Sequence, residues 1–517
     1  MQFHAAAGEE VTMADDAGKL KFGEARCPGP SFTDMLNDDA KPVPDYLLEE
    51  SYEYMGSAPI STERYTCPEF FKQELEHMWP HVWQMAAREE ELPEPGDVVV
   101  YKLAEKSFLI VRQKDGDVKA FYNVCLHRGR LLRTDSGWSK DLKCPFHGFT
   151  WNNDGSLKEV PCQWDFDHLK KSEMGLPEVR VARWGGYIFI NEDEKAPDFL
   201  EWSHPMAEQL GRYRHEECYT ASWVGKVIPA NWKAVSEAFM EAWHSVVTHP
   251  HILPFTGDAN SRYDTFGDHW NRALTPFAVL SPHLQGKGLS EQYIIDEFLK
   301  SNGRGAETGD ERVVVPDGMT ARRAMAAANR VRFTEMFGYD HSEASDSELL
   351  DAFTYNLFPN LSPWGGFMPN IVYRWRPWPD QDHTLMEIRL LFRNPPDKPM
   401  PRATPMKFLT PEQTFMDGSD HLGAALAAVF DQDMANLPYV QDGMKASKNK
   451  ELQLGNYQEI RIRHFHRTLD KYLAGKMGKG APMKAKAGTA KAPAKAKASA
   501  TKTPAKTTAG KKKKSGG

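Results

Sequence analysis

Two short stretches, Asn123-Val-Cys-Leu-His-Arg-Gly129 and Cys144-Pro-Phe-His-Gly-Phe-Thr-Trp151, decide how this chain is read. Each places a cysteine just ahead of a histidine: Cys125 before His127, and Cys144 before His147. Two loops then offer two thiolates and two imidazoles. Zinc sites with this donor set usually group Cys with Cys and His with His, at wider spacings, so the interleaved order argues against zinc. Two thiolates on one iron and two neutral imidazoles on the other suit a [2Fe–2S] cluster of raised potential. Gly129 and Gly148, each following its imidazole, suit tight turns that bring backbone N–H groups toward cluster sulfurs.

Mixed ligation of this kind is the Rieske arrangement. The surroundings read as strands: Val98–Tyr101, Ser107–Val111, Lys119–Val124 and Tyr187–Ile190, with turn signals at Asp115-Gly116 and Asp154-Gly155. A small all-β domain over 96–195, with the cluster loops at one end, is expected. Ahead of it, residues 1–60 read as an irregular lead-in and 61–95 as a helical part of a second domain. Within 61–95, Phe70, Phe71, Leu75 and Met78 recur at helical spacing between Pro68 and Pro80.

The second informative run is Asn231-Trp-Lys-Ala-Val-Ser-Glu-Ala-Phe-Met-Glu-Ala-Trp-His-Ser-Val-Val-Thr-His-Pro250. Read as one helix over 231–248, it sets Glu237, Glu241 and His244 on one face, at i, i+4 and i+7. His249 joins His244 only if the helix ends near Thr248 and Pro250. Two imidazoles and one carboxylate make the facial triad of non-haem Fe(II) oxygenases, so a carboxylate from elsewhere is required. A His pair alone is a weak motif; beside a cluster it makes chemical sense. Residues 196–475 form the expected catalytic domain, with 256–350 as a partly helical insertion. Strands return at Asn370–Trp375 and Thr384–Phe392, and helices are expected over 417–446 and 459–473.

With these motifs the chain resembles the catalytic α subunit of the Rieske non-haem iron oxygenases, the aromatic-ring-hydroxylating dioxygenase family. The resemblance runs from about residue 60 to 475 and rests on the two Cys/His loops, Asn231-Trp-Lys, Glu241-Ala-Trp-His and His249. It implies an α+β fold, with the all-β Rieske domain joined to a helix-grip catalytic domain, an antiparallel sheet around a long helix. The family places its ligand carboxylate eight residues before a Gln; Gln441 points to Asp433, with Asp431 as the competitor. Glu241 is implied as the carboxylate bridging His244 to a Rieske histidine of a neighbouring subunit. Glu237 is then a structural or supporting group. A homotrimer is implied, or a hexamer with a small β subunit. Phe149 departs from the family, which often has Trp there.

These readings make the chain the terminal oxygenase of a multicomponent system. It would take electrons from NAD(P)H through a separate flavin reductase, with or without a ferredoxin, and use O2 on an apolar aromatic or polycyclic substrate. Cis-dihydroxylation is the leading outcome. Monooxygenation or oxidative demethylation uses the same centres, and a non-catalytic electron carrier is the remote alternative. The chain shows no dinucleotide fingerprint of its own; Gly303-Arg-Gly305 lacks a preceding strand and a third glycine.

No apolar run is long enough for a membrane span and Met1–Gly18 has no export pattern. Six scattered cysteines without disulfide spacing fit a reducing cytoplasm. The net charge of −7 conceals a lysine-rich tail: residues 476–517 hold 13 lysines and no acid, leaving −20 on the rest. Such a tail is expected to be disordered and suited to polyanions.

Overall fold

The strand-prone runs of the first half close into a seven-stranded sheet in a computed structural model that describes residues 22–301, 313–367 and 370–475. The lysine-rich tail, Met1–Gly18 and Gly303-Arg-Gly305 lie outside these residues. Asp97–Leu103, Lys106–Arg112 and Val118–Tyr122 form an antiparallel meander, with Glu178–Trp184 and Tyr187–Asn191 added beyond it. The outermost strand on that side is Gln84–Arg88, paired with Tyr187–Ile190. The all-β unit thus begins inside the stretch assigned by sequence to a helical lead. All five residues of this strand are buried, which removes the polar alternation that would have revealed it. A three-stranded sheet, Leu142–Lys143, Thr150–Trp151 and Leu157–Glu159, carries the second cluster loop.

The catalytic domain is built on an eight-stranded sheet. Its order is Arg262–Phe266, Trp270–Thr275, Ala352–Leu357, Leu361–Gly365, Asn370–Pro377, Thr384–Arg393, Cys218–Ile228 and Lys407–Leu409. Neighbours are antiparallel except for the last pair. Period-2 alternation divides the two faces. Ile371, Tyr373, Trp375, Met386 and Ile388 pack against Phe415, Ala427 and Phe430 of the C-terminal helices. Val372 and Leu391 face the other core, which merges with the first domain through Trp79, Trp83, Ile188 and Phe189.

Residues 256–350 are not one insertion: Arg262–Phe266 and Trp270–Thr275 belong to the sheet. Their charged residues masked them. Asp264 accepts from Arg262 at 3.2 Å and from Arg272 at 2.8 Å, so these polar side chains are buried as a set. The inserted helices are Glu291–Ser301 and Ala321–Phe337. Residues 22–60 are less irregular than expected. Helices Phe32–Asn37, opened by a Ser31/Asp34 capping box, and Asp45–Leu48 bury Phe32, Leu36 and Leu47 in the shared core.

Two long helices expected from the sequence are broken. The 231–248 run is helical only at Trp232–Glu237 and Ser245–Thr248. Between them, Ala242 N–H donates to the Tyr263 hydroxyl at 3.0 Å and His244 N–H to Glu241 Oε2 at 3.1 Å. Side-chain acceptors thus replace the i−4 carbonyls of a continuous helix. The 417–446 run divides into Ser419–Leu422, Ala424–Met434 and Leu437–Ala446. Gly423, at φ +80°, makes the first break, and Pro438 opens the last helix.

Candidate metal centres

The two cluster loops are built alike. Cys125 N–H donates to Arg130 O and Gly129 N–H to Cys125 O; Cys144 N–H donates to Phe149 O and Gly148 N–H to Cys144 O. Gly129 and Gly148 sit at φ +73° and +78°, the left-handed region that only glycine enters freely. Both cysteines are buried. The imidazoles lie farther out: His147 is exposed, His127 is half-buried, and their ring centroids are 4.7 Å apart. His127 stacks on Phe149 at 4.7 Å and 10°. Thiolates inside and imidazoles at the rim is a donor arrangement that fits a cluster reduced and oxidised through its histidine edge. Burial first, then Cys144, pushes the Cys125 thiol up; a bound metal reverses that preference.

At the second centre, His244, His249 and Asp433 each bring one ligand atom within 4.8 Å of the others. The break in the 231–248 run sets His244 just ahead of the short helix, and His249 follows its last residue. Asp433 comes from the last turn of Ala424–Met434. His249 Nε2 is 2.9 Å from Asp433 Oδ1, and His244 Nε2 is 3.6 Å from the same atom. The opposite ring nitrogens have acceptors: Glu241 Oε1 lies 2.6 Å from His244 Nδ1, and Gln432 Oε1 lies 2.7 Å from His249 Nδ1. With a side-chain oxygen on each Nδ1, each Nε2 faces Asp433 and is the ring nitrogen placed to serve as a metal donor. Two neutral imidazoles and a carboxylate suit a ferrous ion with open positions.

Asp431 is turned elsewhere, accepting from Phe415 N–H at 2.7 Å and Met416 N–H at 3.0 Å. Glu237 does not share the Glu241 face, because the helix ends between them. It accepts from the Tyr65 hydroxyl at 2.8 Å and meets His466 Nε2 at 2.9 Å. Burial disfavours the charged form of His244, but Glu241 and then Asp433 outweigh it and raise its pKa. Burial pushes Glu237 up to about 8.

Gln432 was not singled out in the sequence; its one signal was adjacency to Asp433. Gln441 and Asn231-Trp-Lys gain a physical role. Gln441 Oε1 accepts from Asn231 N–H at 3.1 Å, Trp232 Nε1 donates to Glu74 Oε2 at 3.0 Å, and Lys233 Nζ pairs with Glu74 Oε1 at 2.6 Å. The first bond ties the helix after Asp433 to the helix before His244, and the other two tie the latter to the segment Glu74–Met78.

A cavity of about 480 Å³ opens over His244, His249 and Asp433. Its wall is mostly apolar, including Phe239, Phe255, Phe277, Phe298 and Phe392. Its size is ordinary for a small-molecule site.

Comparison with known proteins agrees with both centres. The family described as Rieske [2Fe-2S] domain matches residues 82–172, and that described as ring hydroxylating alpha subunit (catalytic domain) matches residues 207–475. The chain is 36% identical over 194 residues to the chlorobenzene dioxygenase subunit alpha of Cupriavidus sp. (strain PS12), covering 36% of this chain and 42% of that protein. It is 32% identical over 189 residues to the carnitine monooxygenase oxygenase subunit of Acinetobacter baumannii, covering 36% and 51%. The matched stretch thus spans about half, or less, of these curated relatives. Among solved structures, a naphthalene 1,2-dioxygenase variant with phenanthrene bound superposes with TM-score 0.59 at 20% identity, over 83% of this chain and 94% of that one. The quaternary ammonium Rieske monooxygenase CntA does so with TM-score 0.55 at 19% identity, over 80% and 96%. At such identities the likeness is one of fold. The catalytic-domain match covers more than half of the chain, which therefore belongs to the ring-hydroxylating α-subunit family, with a Rieske [2Fe–2S] domain ahead of its catalytic domain.

Proposed function

We propose that this chain is the terminal oxygenase of a multicomponent system that hydroxylates an apolar ring compound with O2, most simply by cis-dihydroxylation. The observation that carries this reading is a His244/His249/Asp433 triad under an aromatic-lined cavity, in a chain that also carries paired Cys/His loops. Cys125, His127, Cys144 and His147 hold the cluster; His244, His249 and Asp433 hold Fe(II). When bound, the cluster supplies electrons singly and the iron supplies O2 activation. The chain's own residues do the rest. Glu241 and Gln432 hold the imidazoles in one tautomer, and the phenylalanine wall excludes water and orients the ring.

Electrons come from NAD(P)H through a separate reductase or ferredoxin. A ring of three subunits fits the surface. Phe146 and Trp164 (81% exposed) flank the cluster loops, while Trp243 and Val247 (84% exposed) lie beside Glu241 and His244. Apolar side chains left in water at both ends of the electron path suit a head-to-tail contact between copies. None of the six cysteines is paired in a disulfide, which fits a reducing compartment such as the cytoplasm. Among the described residues, no helix is long and apolar enough to cross a membrane.

Monooxygenation is the second reading, favoured by the carnitine monooxygenase subunit matching nearly as well as the dioxygenase subunits. Turnover under ¹⁸O2 with a panel of ring compounds separates the two. Both labelled atoms of one O2 in a diol support dihydroxylation; a single labelled atom in an alcohol supports monooxygenation. No label in any product contradicts both.

A further inference from the structure

The cavity wall also holds a cation outside the metal-binding set, Arg332. Helix Ala321–Phe337 sets Met325, Asn329, Arg332 and Phe333 on the cavity, at i, i+4, i+7 and i+8 of one face. Asn329 is committed, donating to Leu349 O at 3.0 Å. The other arginines of the helix are committed too: Arg322 to Asp351 and Asp39, Arg323 to Asp38, and Arg330 to Asp346. Arg332 differs. Among the described residues it has no hydrogen bond and no ion pair, and its guanidinium lies 5.7 Å from the ring centroid of Phe333, itself a cavity residue.

The remaining ionisable groups of the wall all make protein contacts. Glu241, His244, His249 and Asp433 form the metal end. Arg461, fully buried in the wall, donates through Nε and Nη1 to Asn271, Thr354 and the Met240 carbonyl and leaves its Nη2 without a partner. Half-buried Arg332 is thus the cation of the wall whose whole guanidinium, among the described residues, has no protein hydrogen bond or ion pair, whereas Arg461 offers a single unpartnered nitrogen from a group already fixed by three bonds. A guanidinium beside an apolar, partly desolvated space gains more from an anion than it would on an open surface, and its planar fork matches a carboxylate bidentately.

We propose that the substrate of this cavity is an apolar ring compound bearing a carboxylate, and that Arg332 takes the carboxylate while the ring lies over the metal end. This rests on the cavity being the oxygenase site, and it narrows the substrate class.

The test is equilibrium binding to the full-length holoenzyme by titration calorimetry, with 2-naphthoate and 2-naphthamide as probes of equal shape and different charge. The expected result is naphthoate binding about tenfold more tightly or better, as a charge-assisted pair predicts, with the gap narrowing at high salt. Arg332→Gln should abolish the preference while leaving amide affinity unchanged, and Arg332→Lys should keep part of it. Equal or tighter amide binding in the wild type overturns the proposal, as does an intact preference in Arg332→Gln. If a variant does not fold, the wild-type pair still decides. Binding as expected with neither probe oxygenated would fault the oxygenase reading and leave the carboxylate site standing. Oxygenation of the amide without any preference for naphthoate would fault this inference alone.

Discussion

His249 Nε2 and Asp433 Oδ1 stand 2.9 Å apart although 184 positions separate the residues in sequence. That contact joins the end of the short helix Ser245–Thr248 to the last turn of Ala424–Met434, and His244 Nε2 approaches the same oxygen. The two neighbouring aspartates of this helix therefore have different work, which a pair of variants separates.

Asp433→Ala should lose the mononuclear iron and turnover while keeping the Rieske absorption spectrum. Asp431→Ala should keep iron and lose stability, by about 1–2 kcal/mol, because two backbone donors at Phe415 and Met416 lose their acceptor. Metal analysis and denaturant unfolding of both variants check this. Iron lost from Asp431→Ala and kept in Asp433→Ala would reverse the assignment.

Glu241→Gln retains the shape that holds His244 Nδ1 at 2.6 Å but removes the charge. Both metals should remain and the cluster should still accept an electron. Cluster oxidation on adding substrate and O2, followed by stopped flow, should slow by about ten- to a hundredfold. A wild-type rate would show that electrons take another route.

Lys233 and Glu74 form a fully buried ion pair at 2.6 Å that anchors the helix preceding Glu241. Lys233→Met strands a buried carboxylate and should cost about 3–5 kcal/mol. The Lys233→Met, Glu74→Met double variant should recover much of that loss, read as the midpoint of chemical unfolding. A double variant no more stable than the single one would mean that the pair contributes through packing alone.

Glu237 supplies a pH signature. Enclosed with Tyr65 and His466, and near Lys233 and Arg64, it is held mainly by burial at a pKa of about 8, against 4.5 for the free group. The folded state thus binds a proton that the unfolded state releases. The stability this proton contributes is complete below about pH 4.5 and is lost as pH rises through 8. Glu237→Gln has no such proton to lose, so its Tm relative to wild type should rise by a few degrees between those limits. A Tm difference independent of pH would show that Glu237 is ionised in the folded protein throughout.

What was legible in the sequence follows from how local each signal is. The cluster loops read directly, because each keeps its donors within a few residues of one another and closes on its own glycine. His244 and His249 read nearly as well. Asp433 was reachable only through the family's spacing to Gln441, since nothing local separates it from Asp431. Gln432 was silent because its role depends on a histidine 183 positions away. The break before His244 was silent for a similar reason: its acceptor, the Tyr263 hydroxyl, comes from a strand of the sheet. That strand was itself hidden, because Arg262, Asp264 and Arg272 satisfy one another in the interior and so imitate a polar surface segment.

One chain carries both a cluster and a separate catalytic iron. Iron, acid-labile sulfide and zinc, quantified on anaerobically purified wild-type and Asp433→Ala protein, test it most directly. About three irons and about two sulfides are expected per wild-type chain, and about two of each in the variant. Zinc in place of iron without sulfide, or an iron content unchanged by Asp433→Ala, would contradict it.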